Sequence, residues 1–240
     1  MKKWTFVFML GIFFSAFGQK TIQLNDSLKL NADLMYSEDF SEGMENWYPE
    51  IMPGGEVKVS DQAMEIDVPG GCTVWYLKKL NQPVMIEYEV VVLDEGGPND
   101  RVSDLNCFWM AQDPENTDDF FKNSENRGGK FNNYNPLRLY YVGVGGHNNT
   151  KTRFRRYMGD GTKPLLPEHD LSDEKHLIKA NTLNKIRLAV FGNIVQYYRN
   201  GELIFDFYDP EPYSSGYFGI RTVENHMTVD NVKIYRLEAN

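Results

Sequence analysis

Residues 197–207, YYRNGELIFDF, carry the strongest local signal for the fold. Asn200 and Gly201 lie there between two runs of aromatic and aliphatic residues. Asparagine and glycine both tolerate the positive φ angles of a two-residue type I′ turn, whose twist suits antiparallel strands. The stretch therefore predicts a β-hairpin, and with it an antiparallel sheet.

The same pattern extends in both directions along the chain. Apolar and polar positions alternate in short runs, separated by clusters of Gly, Asn, Asp or Pro, and no long helical stripe competes. The sequence predicts an all-β fold: a two-sheet antiparallel jelly roll, of the concanavalin A-like or laminin G-like sandwich type, as a single domain over residues 19–240. The predicted strands are 34–40, 56–60, 62–68, 72–79, 83–93, 104–112, 137–144, 152–158, 184–191, 193–199, 202–208, 216–223 and 227–237.

Two connections are much longer than the others, residues 113–136 and 159–182, with 24 residues each. They flank the predicted strands 137–144 and 152–158. Because loops of this length are commonly functional, we expect the two connections to form walls beside those strands.

The first residues, MKKWTFVFMLGIFFSAFGQ, have the organisation of a secretory signal peptide over residues 1–18. Two lysines precede an uncharged run of 14 residues, 4–17, which is shorter than the roughly 20 residues that a membrane-spanning helix needs. The sequence therefore predicts an exported protein, periplasmic or extracellular, that does not insert into a membrane.

The charge distribution predicts an anionic ligand that is not nucleic acid. The formal net charge is −9, and removal of Lys2 and Lys3 with the leader would make it −11, which argues against broad attraction to nucleic acid. Between residues 126 and 159, however, seven cations occur and no acidic residue. The seven are Arg127, Lys130, Arg138, Lys151, Arg153, Arg155 and Arg156.

Strand parity predicts where these cations point, since alternate residues face opposite sides of a sheet. In RFRRY, Arg153 and Arg155 are expected on the open face, while Arg156 falls on the core side and is expected at a bulge or paired with a buried acid. In LRLYYVG, Tyr140 is expected on the open face and Tyr141 in the core. The predicted substrate-binding residues are Asn106, Gln112, Arg138, His147, Arg153, Arg155, Tyr157 and Arg221.

Guanidinium groups pair with carboxylate or sulfate, and aromatic rings stack on sugar rings, so this face suits an acidic saccharide. The first hypothesis is a polysaccharide lyase that acts on uronate-containing chains by β-elimination, with Tyr140 or His226 transferring protons. The second is a binding module that uses the same groove without chemistry. The third is a glycoside hydrolase in which Glu87 and Glu89, two residues apart on one strand face, flank the bond.

No cofactor is required by these hypotheses, although a structural Ca²⁺ is an open alternative because acidic and amide side chains cluster twice. Cys72 and Cys107 lack zinc-site or CxxC spacing, and either two buried thiols or one disulfide fits their positions. The candidate calcium ligands are Asp94, Glu95, Asn99, Asp100 and Asp104, or alternatively Glu38, Asp39 and Asp230.

Four segments carry a resemblance to the YesU-like family of exported bacterial proteins. They are NDRVSDLNCFWMAQDP (99–114), LRLYYVGVGG (137–146), NNTKTRFRRYMGDGTKPLLPEHDL (148–171) and GYFGIRTVENHMTVDNVKIYRL (216–237), and the resemblance covers most of residues 34–240. It implies a lectin-like jelly roll that is often associated with breakdown of acidic polysaccharides such as rhamnogalacturonan. It supplies no catalytic residue set.

Overall fold

A computed structural model describes residues 20–239 of the chain, and fifteen strands make up most of these residues. The strands are β1 (Lys20–Asn25), β2 (Leu28–Glu38), β3 (Trp47–Ile51), β4 (Glu56–Ser60), β5 (Ala63–Tyr76), β6 (Leu80–Asn81), β7 (Val84–Val92), β8 (Leu105–Gln112), β9 (Arg138–Gly145), β10 (Lys151–Met158), β11 (Asp170–Leu171), β12 (Asn184–Phe191), β13 (Ile194–Arg199), β14 (Glu202–Tyr208) and β15 (Ser215–Ala239). The helices are short: Phe120–Asn123, Ser124–Arg127, Phe131–Tyr134, Gly146–Asn149, Pro167–His169 and Glu174–His176.

Two long strands, β5 and β15, run through both sheets of a sandwich. The first part of β15 pairs with β8 and the end of β5, which gives a front sheet in the order β11-β10-β9-β8-β15-β5-β3. The second part of β15 pairs with β2 and β7, which gives a back sheet in the order β2-β15-β7-β12-β13-β14. These pairings are all antiparallel, and the prediction of an all-β sandwich is confirmed.

The hairpin predicted from YYRNGELIFDF is present as β13 and β14. Asn200 and Gly201 have φ angles of 53° and 84°, as a type I′ turn requires. Arg199 pairs with Glu202 across the turn, so the loop contains two residues. The local sequence is therefore sufficient to set both the turn and the pairing of these strands.

The front sheet is buried on both faces over part of its area. Its inner face contributes Trp109, Tyr140 and Phe154 to the main core between the sheets. On its outer face, residues 113–136 fold down as a covering segment, whose Phe120 and Tyr134 pack among a second group of buried residues. The remaining members of that group are Trp75, Phe108, Ala111, Leu137, Leu139, Tyr141 and Tyr157. Apolar residues therefore occupy both faces of β9, which removes the alternation that strand parity relies on.

Most predicted strands are present in the structure. The differences are two predicted pairs that each form one long strand and several short strands that were not predicted. The pair 62–68 and 72–79 forms the single strand β5, and the pair 216–223 and 227–237 forms β15. The short strands β1, β3, β6 and β11 lack a predicted counterpart; β6 and β11 contain two residues each, which is too few to show alternation.

The structure bears on the prediction about membranes but not on the prediction of export. The signal peptide predicted over residues 1–18 lies outside the described residues. Within residues 20–239, the helices are too short and too polar for any of them to cross a bilayer. Cys72 and Cys107 are buried free thiols rather than a disulfide, and burial raises the pKa of each to about 12.

Candidate functional site

A cleft of about 410 Å³ opens on the outer face of the front sheet, beside the covering segment. We call it the front cleft. Its lining combines cationic, aromatic and uncharged polar side chains with a single carboxylate. The cations are Lys151, Arg153, Arg155 and Lys163, the rings are Phe131, Tyr141 and Tyr157, and the other side chains include Asp104, Asn106, His147 and Val223.

The front cleft is built by strand parity and register. Arg153, Arg155 and Tyr157 alternate along β10 on the outer face. Arg155 lies opposite Tyr141 of β9, and Asn106 of β8 lies opposite the next glycine in that strand. That glycine, Gly143, leaves the space that the Tyr141 hydroxyl occupies, because a Cβ there would overlap it. A larger residue at position 143 would therefore displace the floor of the cleft.

Arg153 and Arg155 differ in how their charges are compensated. Arg153 donates from Nε to Asp170 Oδ1 at 2.8 Å, and its Nη1 donates to Nε2 of His147 at 2.6 Å. Arg155 donates from Nη1 to the backbone carbonyl of Lys163 at 2.6 Å and forms no ion pair with a carboxylate among residues 20–239. Of the two arginines, Arg155 is therefore the one whose positive charge is available to pair with an anionic ligand.

Lys163, from the loop of residues 159–182, is the second such cation. Its Nζ donates to Asn135 Oδ1 at 2.6 Å and lies 5.1 Å from the centre of the Tyr157 ring and 5.2 Å from that of Phe131. No carboxylate of the described chain pairs with it. Burial, with a smaller contribution from Arg155, lowers its pKa below the ordinary value.

Several polar atoms around the front cleft are buried and have no hydrogen-bond partner within the described range, residues 20–239. They include Asn106 Oδ1, the Tyr157 hydroxyl, and Nε and Nη2 of Arg221. Buried polar groups are nearly always paired in folded proteins, so a group of unpaired ones marks a place where a ligand or water is expected. Arg221 lies under the covering segment, where Nη1 donates to Thr73 Oγ1 at 2.9 Å and to the Gly129 carbonyl at 3.0 Å.

Arg221 is fully buried, so its predicted exposure on the open face is wrong. It does project from the outer face of the front sheet, but Phe131 and Tyr134 cover it, at 5.0 and 4.9 Å from the ring centres. No carboxylate of the described residues pairs with it. It therefore places a positive charge beneath the front cleft without being able to contact a ligand in this arrangement.

The predicted open-face position of Tyr140 is also wrong. Its side chain is fully buried in the main core, where the hydroxyl donates to Asp209 Oδ2 at 2.6 Å. Burial, and then the hydrogen bond to Asp209, raise its pKa far above the usual value. Arg156 Nε donates to the same Asp209 oxygen at 2.7 Å, which confirms the expectation that Arg156 pairs with a buried acid. Tyr140 belongs to a structural network.

Three further predicted residues lie outside the front cleft. Gln112 and Arg138 line a different pocket, of about 340 Å³, where Gln112 Nε2 donates to the Ser215 carbonyl. His226 lies between Asp100 and Glu65, with ring nitrogens 2.8 and 3.1 Å from their oxygens. The predicted cationic and polar residues therefore do not form one continuous surface on the open face. Only Asn106, His147, Arg153, Arg155 and Tyr157 of the predicted set meet in the front cleft.

Glu87 and Glu89 lie on β7 of the back sheet, away from the front cleft. Glu87 pairs with Lys20 at 2.7 Å and with Arg187 at 2.8 Å, and Glu89 pairs with Lys185 at 2.9 Å. Burial acts to raise the pKa of Glu87, but its two cationic partners outweigh burial and lower it; the hydrogen bond from Lys185 lowers that of Glu89. Neither carboxyl is prepared to act as a general acid.

Two of the candidate calcium ligands, Asp100 and Asp104, are engaged in other contacts. Asp100 Oδ2 accepts backbone hydrogen bonds from Glu95 and Gly97, while Asp104 Oδ2 accepts from Arg101 at 3.0 Å. Within residues 20–239, no group of three or more His, Cys, Asp or Glu side chains is arranged to hold a metal ion.

Other residues of the cleft were not singled out from the sequence. Strand parity predicts Tyr141 in the core, but its side chain lies on the outer face of β9, among the residues on which the covering segment packs. Phe131 and Lys163 come from the two long connections, whose expected position as walls agrees with the lining, but nothing in their local sequence marks these two residues.

The sequence of residues 66–232 matches the family described as Domain of unknown function (DUF6250). This match spans more than half of the chain. The chain belongs to the DUF6250 family. The DUF6250 match includes β8, β9 and β10, and so most of the front cleft. No curated protein sequence matches the chain at a significant level.

Solved structures resemble this DUF6250 domain in fold. A protein of unknown function with a galectin-like fold from Bacillus subtilis is 13% identical, with a TM-score of 0.68, covering 86% of this chain and 97% of that one. Carbohydrate-binding module CBM66 from Bacillus subtilis is 13% identical, with a TM-score of 0.54 and coverage of 79% and 95%. The endo-β-1,3-glucanase of Pyrococcus furiosus is 11% identical, with a TM-score of 0.56 and coverage of 92% and 99%. At these identities the likeness shows the fold, a galectin-like or concanavalin-like jelly roll.

Proposed function

We propose that the front cleft binds an acidic saccharide, a uronate-containing oligosaccharide or polysaccharide, and that the protein acts after export. The observation that carries this proposal is that Arg155 and Lys163 lie in one cleft and pair with no carboxylate among residues 20–239, in a chain whose net charge is −9. A cation left uncompensated in a partly buried site favours binding of an anion.

The other lining groups fit a sugar better than a simple anion. The rings of Phe131, Tyr141 and Tyr157 line the cleft, and Asn106 Oδ1 and the Tyr157 hydroxyl have no hydrogen-bond partner in the part of the chain that the structure describes. Sugar hydroxyls both donate and accept hydrogen bonds, so they can satisfy these atoms, while a sugar ring packs on the aromatic surface. The fold similarity to a carbohydrate-binding module and to a glucanase supports the same proposal.

The proposal of export rests on the leader-like residues 1–18, and the resemblance to the YesU-like family supports an acidic polysaccharide as the ligand. We propose no bound cofactor for this activity, and a structural Ca²⁺ stays a prediction.

Titration calorimetry with oligogalacturonate and oligoalginate, and with a maltooligosaccharide as the neutral control, tests this function. We expect binding of at least one acidic oligosaccharide that weakens as salt is added, since salt screens charge pairs. Equal binding of the neutral control, or no binding of either acidic probe, contradicts the proposal.

β-Elimination is the reaction that we propose for this cleft, because three kinds of group meet there. The reaction needs a cation beside the uronate carboxylate, a proton acceptor and a proton donor. Arg155 can serve as the first, and Lys163 and the tyrosines provide proton-transfer groups. Ultraviolet absorbance of an unsaturated uronate product tests it. Binding of the saccharide without this absorbance would indicate a binding module that has no catalytic activity. New reducing ends without this absorbance would indicate hydrolysis.

A further inference from the structure

We propose that Lys163 is the proton acceptor and Tyr157 the proton donor of β-elimination in the front cleft. This assignment rests on the proposed function and deepens it. It replaces Tyr140 and His226, which the sequence suggested and which lie outside the cleft.

The two groups are neighbours held by different parts of the chain. Lys163 Nζ lies 5.1 Å from the centre of the Tyr157 ring, and its hydrogen bond to Asn135 Oδ1 fixes the end of the side chain. Tyr157 is almost fully buried on β10, yet its hydroxyl has no hydrogen-bond partner within residues 20–239. An amine that pairs with no carboxylate of the described residues and a buried, unpartnered hydroxyl therefore lie at one cleft, and acid–base catalysis on one sugar requires two such groups.

The surroundings push the proton affinities of the two groups apart. Burial lowers the pKa of Lys163, and Arg155 lowers it further. Burial raises the pKa of Tyr157, although Arg221 and Arg155 act in the opposite direction. A lysine that gives up its proton more readily suits the acceptor role, and a tyrosine that keeps its proton suits the donor role.

Arg155 completes the arrangement. Because its Nη1 donates a hydrogen bond to the backbone of Lys163, the guanidinium is fixed next to the acceptor, and no carboxylate of the described residues pairs with it. A uronate carboxylate paired with Arg155 would be neutralised, and charge that builds on it during proton removal would be stabilised. His147 is less suited to proton transfer, because its Nε2 is engaged by Arg153.

The reaction balances without water or a cofactor. The C5–H bond of the uronate breaks, and its proton passes to the Lys163 amine in its unprotonated form, which the lowered pKa makes easier to reach. The electron pair of that bond forms the C4=C5 double bond, the C4–O bond to the leaving sugar breaks, and the leaving oxygen takes the proton of the Tyr157 hydroxyl. Transfer of a proton from Lys163 to Tyr157 then restores the starting state.

The test measures binding and turnover separately on the intact protein, with rhamnogalacturonan, polygalacturonate and alginate as probes. Lys163→Arg keeps the positive charge and the long stem, but a guanidinium does not give up its proton in proteins. We expect this variant to bind within about threefold of wild type and to lose about 100-fold or more in turnover. Lys185→Gln, on the back sheet, and Tyr140→Phe, in the core, are the matched controls and should keep wild-type turnover.

Tyr157→Phe separates the two roles. In heavy water, we expect recovered substrate to carry deuterium at C5 while unsaturated product is lost, because the acceptor remains and the donor is gone. Lys163→Arg should show neither exchange nor product.

Turnover of Lys163→Arg within a few-fold of wild type would overturn the acceptor assignment, and undiminished product from Tyr157→Phe would overturn the donor. Wild-type binding to these polymers without unsaturated product would overturn the whole inference and leave the binding function standing. Absence of binding by the wild type would remove the proposed function itself.

Discussion

Arg155 donates a hydrogen bond from Nη1 to the backbone carbonyl of Lys163, and the two atoms lie 2.6 Å apart. This contact ties β10 to the loop of residues 159–182 and holds two like charges at one cleft. Their repulsion contributes to the lowered pKa of Lys163. An anion between them would relieve that repulsion, which is why the account centres on an acidic saccharide.

Arg155→Gln should weaken binding of acidic oligosaccharides by about 10- to 100-fold, because a charge-assisted hydrogen bond contributes about 1.5–3 kcal/mol. The loss should shrink at high salt, since the missing term is electrostatic. Titration calorimetry at two salt concentrations measures both effects. The matched control is Arg138→Gln, which removes an arginine that also lacks a carboxylate partner in the described chain but lies in another pocket. Equal losses in the two variants would show that the front cleft is not the binding site.

Tyr140→Phe should reduce stability and leave saccharide binding unchanged. The hydroxyl donates to the buried Asp209 and accepts from the backbone N–H of Tyr213 at 3.1 Å, so its removal leaves buried partners unsatisfied. The expected cost is about 1–3 kcal/mol, measured by urea denaturation. If the variant is as stable as wild type but defective in saccharide binding, Tyr140 belongs to the functional site and this prediction is wrong.

Arg155 and Tyr140 show which parts of the candidate site the sequence alone can predict. Parity placed Arg155 correctly, because β10 is apolar on one face and polar on the other. It misplaced Tyr140, because β9 is covered on its outer face by residues 113–136, which bury Tyr141 as well. The fold follows from local signals such as Asn200-Gly201, whereas the cleft depends on where two long connections place Phe131 and Lys163. That placement is a property of packing between distant segments and leaves no local pattern.

Arg127→Met should strongly destabilise the covering segment. Arg127 pairs with Glu50 at 2.7 Å, both side chains are nearly inaccessible to solvent, and the Tyr134 hydroxyl donates to the same carboxyl group at 2.6 Å. Removing one partner leaves a buried charge uncompensated, at a cost of about 3–5 kcal/mol. Urea denaturation of the single variant and of Arg127→Met combined with Glu50→Gln tests this. We expect the double variant to recover part of the loss; a double variant less stable than the single one would contradict the explanation.

Stability should depend on pH through His226. Burial acts to lower its pKa, but hydrogen bonds to Asp100 and Glu65 outweigh burial and raise the pKa above the ordinary value of 6.5. A raised folded-state pKa stabilises the protein fully below 6.5, and this contribution disappears as the pH rises through the folded-state pKa. Denaturation of wild type and His226→Gln across this range should give a difference in unfolding free energy that shrinks as the pH rises. A difference that grows with pH would have the wrong sign.

The thiols of Cys72 and Cys107 should not react in the native protein. Both are buried and their pKa values are raised to about 12, so almost no thiolate forms at neutral pH. Titration with a thiol reagent should give no rapid reaction before unfolding and two thiols afterwards. Detection of a disulfide in the unfolded, unreduced protein would contradict this.

The most direct measurement is a crystal structure of the protein with a bound acidic oligosaccharide. We expect a uronate carboxylate within hydrogen-bond distance of Arg155, a sugar ring against Tyr157 or Phe131, and the C5 hydrogen directed towards Lys163. A saccharide seated on another face, such as the Glu87 region of the back sheet, with the front cleft free of it, would contradict the account.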